Sequence, residues 1–138
     1  MFFKKEKNKN DDLIKVAALL IHAAKIDENF SINEEKIIKK ALLEIGADNE
    51  NIEMILTYGK KAEENSNQIL DFTKEVKNMD EQNKIKIVET LWRVIYSNNE
   101  ADIYETNLMR RLTGLLYIDS KLMGDIKEKI KKEILKWL

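Results

Sequence analysis

The chain of 138 residues has no cysteine, no proline, four glycines and a single histidine. Without cysteine it can form no disulfide, no thiolate metal site and no cysteine nucleophile. Proline and glycine are the main interrupters of helices, so their scarcity removes most local reasons for a helix to stop. Val and Thr are also sparse, whereas Lys, Glu, Leu and Ile are abundant. The composition predicts an all-α protein. No apolar run approaches the ~20 residues that span a bilayer. The opening MFFKKEKNKNDD lacks the apolar centre of a signal peptide, so a cytoplasmic protein is expected. Charge of one sign is missing too: 24 Lys and Arg face 25 Asp and Glu, a formal net charge of −1. Overall charge therefore implies no nucleic-acid partner. There is no Gly-rich phosphate loop, no G-x-S-x-G, no H-x-x-x-H and no nucleophile–base pattern, and the lone His22 cannot hold zinc unaided. The expectation is a protein that is not an enzyme.

What is present suits one helical domain. The length supports a single core, and 43% hydrophobic with 36% charged residues is a globular balance. Residues 1–10 read as a flexible N-terminal tail and 11–138 as the domain. Asp11 or Asp12 can cap a first helix, nearly apolar all round at Val16–Ile21, which marks it as central. Ser31 starts a second helix with Ile37, Ile38, Ala41, Leu42 and Ile45 in its stripe, and Gly46 ends it. Asp48 or Asn49 opens a third that carries Ile52, Met54, Ile55, Leu56 and Tyr58. A short helix with Ile69, Leu70, Phe72 and Val76 follows. Asp80, Asp102 and Asp119 head three more, the last basic and amphipathic through Ile126, Ile130 and Ile134. A compact bundle of about seven helices follows, its short loops favouring antiparallel neighbours. Tyr117, like Trp92 and Tyr96, has a spacing expected of packed residues.

Two bends echo each other at an offset of 71 residues: IDENFSINEE at 26–35 and SNNEADIYET at 97–106. The same offset pairs Ile14 with Ile85, Leu20 with Leu91, Ile32 with Ile103 and Asp48 with Asp119. Two related helix–loop–helix halves are expected. Each bend crowds side-chain oxygens that suit a hard cation such as Ca²⁺ or Mg²⁺: Asp27 and Glu34 in the first, Asn98, Asp102 and Glu105 in the second. Neither is an EF-hand, because Ile32 and Ile103 stand where the turn needs Gly, and Ile38 and Met109 where the last ligand should be Glu. Helix capping is the competing explanation. Ser31–x–x–Glu34 and Asp102–x–x–Glu105 both have capping-box spacing. Capping leaves Asp27 unexplained, since a carboxylate at the end of a helix meets the negative end of its dipole. Both explanations stay open at this point.

The unit A-x-x-x-D-x-x-φ-x-x-x-E at 23–34, the run LWRVIYSNNEADIYETNLMRRLTGLLYI at 91–118 and LDFTKEV at 70–76 resemble the TerB-like family, named for a tellurite-resistance protein. The resemblance covers roughly residues 12–130. It implies an all-helical domain of two similar halves, with a divalent-cation site built from acidic loop residues. By position, the family's loop Asp and Glu fall on Asp27 and Glu34, and its second Glu on Glu105. The second Asp is Asn98 here and the usual Gly is Asn99, which weakens that half, although Asp102 supplies a carboxylate nearby. The family's proposed roles are metal sensing, stress response and association with membrane-linked complexes.

Taken together, these features point to a binding module with a weak cation site and a protein partner. A purely structural or adaptor bundle without metal is the alternative. The lysine-rich last helix could touch a membrane peripherally, but docking against the bundle is favoured because Glu128 and Glu133 interrupt its positive face.

Overall fold

The computed structural model describes residues 2–26, 31–66, 68–97 and 103–136, with the side chains of 2–9, 103–105 and 135 excepted. They form seven helices: α1 (Phe2–Ala24), α2 (Ile32–Ile45), α3 (Ile52–Asn65), α4 (Leu70–Lys77), α5 (Glu81–Tyr96), α6 (Ile103–Leu115) and α7 (Ser120–Leu135). Among the described residues there is no strand, and no helix is long and apolar enough to cross a membrane. The all-α expectation holds.

The start of α1 differs from the expected tail over 1–10. Its backbone is helical from Phe2, so Asp11 and Asp12 lie inside the helix instead of capping it. Lys and Glu in this stretch are good helix formers and nothing here breaks a helix. Burial pushes the Asp12 carboxyl above its ordinary value, and the neighbouring charges of Glu75 and Asp11 add to the effect.

From Leu13 onward α1 is buried over most of its surface, with only Ile14, Lys15 and His22 partly exposed before Ala24. Leu13, Val16, Ala17, Ala18, Leu19, Leu20, Ile21, Ala23 and Ala24 are all buried. A helix apolar all round needs neighbours all round, and α3, α4, α5 and α2 each pack against it. Small residues set how close α3 comes. A Cβ built on Gly59 would stand 2.7 Å from the Ala17 Cβ, inside any normal contact. Met54, Tyr58 and Leu70, which share their helices' apolar runs, face outward. Ile52, Ile55, Leu56, Phe72 and Val76 take the buried positions on those helices.

The 71-residue offset reappears in the backbone. It carries Ile32, the first residue of α2, onto Ile103, the first of α6. It also carries the packing of α3 on α1 onto that of α7 on α5. The C-terminal turns of α2 and α6 match in detail. Ala47 N–H donates to the Leu42 carbonyl at 2.9 Å, and the corresponding Ile118 N–H donates to the Thr113 carbonyl at 3.0 Å. At the apex of each turn the backbone has positive φ: 143° at Gly46 and 55° at Tyr117. Asp48 Oδ1 accepts from Glu50 N at 3.1 Å and Asp119 Oδ1 from Lys121 N at 3.4 Å, again an equivalent pair. Helix α4 joins the two halves. Tyr117 is thus not a packed residue: it is 72% exposed, holds a glycine's position, and has Lys77 Nζ 5.2 Å from its ring centre. The other end of that turn is secured by Lys84 of α5, a buried lysine whose Nζ donates to the Leu116 carbonyl at 3.1 Å. A cation suits the carbonyl end of a helix.

Two stability measurements test this account. Gly59→Ala should destabilise by about 1–3 kcal/mol in urea unfolding, because α1 and α3 must separate to admit the methyl group. Tyr117→Gly should raise stability by about 1 kcal/mol by relieving left-handed backbone at a residue with a Cβ.

Candidate functional site

The first bend begins where α1 runs out. Lys25 N–H donates to the Ile21 carbonyl at 3.0 Å. Residues 27–30 lie outside the described residues, and the chain resumes at Ser31 in an extended conformation (φ −84°, ψ 164°). Ser31 Oγ accepts from Glu34 N at 3.2 Å, and Ser31 N donates to Glu34 Oε1 at 3.0 Å. This is the reciprocal capping box that the spacing predicts. Glu34 is nonetheless 1% exposed, which an ordinary surface cap is not. A carboxylate loses its hydration on such burial and must recover it from hydrogen bonds or charge. The N-terminus of α2 supplies both in part.

Of the five candidate ligands, Glu34 alone has a described side chain. Asp27, Asn98 and Asp102 fall outside the described residues, and Glu105 lies in the first turn of α6 with only its backbone described. The second predicted capping box, Asp102 to Glu105, therefore also falls outside. Among the described residues no group of three or more His, Asp or Glu side chains gathers as a metal site. Around the first bend, Glu35 pairs with Lys60 of α3 at 3.0 Å, and Glu63 holds Lys25 at 3.2 Å with His22 Nδ1 3.8 Å away. His22 is a half-exposed residue at the edge of the core.

A second feature was not read from the sequence. Helices α2 and α7 stand on either side of α5, and ion pairs cross the groove of about 610 Å³ between them. Lys86 of α5 binds Glu44 of α2. Lys129 of α7 binds Glu89 of α5 at 2.6 Å. The half-buried Arg93 holds Glu133 of α7 with two parallel bonds, Nε at 2.8 Å and Nη2 at 3.1 Å. Hydrogen bonds from Arg93 and Lys86 hold the Glu133 and Glu44 carboxyls below their ordinary values, and Glu133 in turn raises Arg93. Carboxylates kept ionised in this way cannot serve as general acids near neutrality. They tie three helices together. Lys86, Glu89 and Arg93 do recur on one face of α5, so a charged stripe was visible, but its partners were not.

The sign of the pH dependence follows. Carboxylates with lowered folded values contribute stability above the ~4.3 they have when unfolded, and lose it as pH falls through the folded value. Glu133→Gln should therefore lower Tm at pH 7, and the gap from wild type should close as pH drops below about 4. Thermal melts across that range check it.

With the geometry in place, comparison with known proteins adds a family. No curated protein and no solved structure matches the chain significantly. The family model described as tellurite resistance protein TerB matches residues 13–128, from the buried part of α1 to the middle of α7. That span takes in both halves of the duplicated bundle and the bend that Glu34 caps, so the chain belongs to the TerB family.

Proposed function

We propose that this TerB-family chain is a non-catalytic binding module that takes up a divalent cation, Ca²⁺ or Mg²⁺, weakly at the bend between α1 and α2 and presents a helical surface to a protein partner. Response to metal or tellurite stress in the cytoplasm is the setting this reading suggests. The observation that supports it is Glu34: a carboxylate 1% exposed, oriented by its own cap, directly beyond a loop that bears Asp27 and Glu28. Hard oxygen donors of this kind are the ligands that Ca²⁺ and Mg²⁺ accept. Asp27 and Glu34 would hold the ion, with Asn98, Asp102 and Glu105 as a weaker counterpart in the second half. Balanced net charge supports a protein partner over nucleic acid.

One observation favours the alternative of a purely structural bundle. The capping box gives Glu34 a complete local reason to be where it is. Thermal melts separate the two readings, since a ligand specific to the folded state raises its stability by RT ln(1 + [L]/Kd), about 2.7 kcal/mol at a hundredfold excess over Kd. The expected result is a rise in Tm with Ca²⁺ or Mg²⁺ at millimolar concentration that is lost in Asp27→Ala. No rise in the wild type, or the same rise in Asp27→Ala, would leave only the scaffold.

A further inference from the structure

Helices α6 and α7 flank a second groove, of about 480 Å³, floored by α5 and lined by no residue of α2. Its base is Trp92 of α5 with Met109 and Met123, all three buried. Each wall carries a glycine, Gly114 on α6 and Gly124 on α7. Gly124 lies inside α7, where glycine costs about 1 kcal/mol relative to alanine, and Gly114 lies in the last turn of α6. Unlike Gly59, neither is needed by the fold, because a Cβ built at either position meets nothing within 4 Å. What they do is leave the walls bare, so that another backbone can come close.

The chemistry of the groove is specific. Trp92 is 3% exposed, and its indole N–H has no hydrogen-bond partner among the described residues. A buried donor left this way needs an explanation, and an acceptor supplied by a ligand is one. The rim carries Arg110 and Lys127, the latter 5.4 Å from the Trp92 ring centre, while no described lining residue is a carboxylate. Tryptophan and arginine are the residues that most often anchor interfaces, and methionines adapt their shape to an incoming apolar face.

We propose that this groove docks an amphipathic helix of a partner protein, one whose apolar face is flanked by carboxylates. Its apolar side chains cover Trp92 and the two methionines, its acids meet Arg110 and Lys127, and its backbone passes close to Gly114 and Gly124. A lipid tail would need neither bare helix walls nor an acceptor for the indole. The inference rests on the partner-binding half of the reading above and not on the cation, so its test is run in EDTA.

The probe is a synthetic helical peptide with Leu and Phe on one face and Glu on both flanks, titrated into the full chain. The readout is the Trp92 indole N–H resonance, assigned with Trp92→Phe. The expected result is a saturable shift, weakened about tenfold or more, equivalent to 1.4 kcal/mol, in Gly114→Leu, Gly124→Leu and Arg110→Glu. The two leucine variants should melt no lower than wild type, since they improve helix propensity. The same peptide with Lys in place of Glu should not bind. No shift with the Glu peptide, equal binding of the Lys peptide, or undiminished binding in the folded variants would overturn the proposal. So would binding to phosphatidylglycerol vesicles in place of the peptide.

Discussion

The contact between Ala17 and Gly59 is the constraint on which the bundle depends. Helix α1 carries apolar side chains on every face and must be enclosed, but enclosure works only if its neighbours can come close. Alanines at 17, 18, 23 and 24 keep its surface thin, and a glycine on α3 completes the nearest approach. Once α3 is seated there, α4, α5 and α2 close the remaining sides. Each buried leucine or isoleucine along α1 then contributes on the order of 1.5–3 kcal/mol.

The second half repeats the plan with different chemistry. The equivalent turns at Gly46 and Tyr117 use the same hydrogen bonds, and Asp48 and Asp119 accept from equivalent N–H groups, although α7 starts directly after Asp119 and α3 only at Ile52. One half has the residue suited to a positive φ, whereas the other accepts backbone strain at Tyr117 and secures the turn with the buried ammonium of Lys84. Where α1 is wrapped by apolar neighbours, α5 is also bound through charge, to α2 by Lys86 and to α7 by Glu89 and Arg93. The divergence leaves α5 lining one groove bridged by paired charges and one floored by an indole with Lys127 over its ring. The same topology thus offers two surfaces of unlike chemistry.

Glu34 shows how a local motif can carry a charged residue into the interior. The capping box orients the carboxylate and takes one of its oxygens into the helix N-terminus. Burial then removes most of the water that would otherwise solvate it. A carboxylate in this setting is a structural cap held away from solvent, and the bond from Ser31 N replaces part of the hydration it gives up.

Much of the fold was legible in the sequence because it depends on local rules. The lack of proline, the 3.6-residue spacing of apolar side chains, and caps at Ser31, Asp80 and Asp119 determined seven helices and most of their ends, although α3 begins at Ile52 and not at Asp48 or Asn49, which form a turn ahead of it. The 71-residue offset determined that the halves would correspond. The start of α1 was not legible, because Asp12 looks like a cap wherever a helix can begin, and a cap residue does not by itself stop a helix that already runs from Phe2. Nor were the outward turns of Met54, Tyr58 and Leu70, since a helix's apolar run is wider than the stripe its neighbours cover. At the candidate site, spacing alone revealed the cap on Glu34 but not how deeply it is buried. The pairing of Arg93 with Glu133, 40 positions away, the buried Lys84 and the bare walls at Gly114 and Gly124 were decided by tertiary structure alone. Those features depend on which helix lies opposite which, and no local periodicity records that.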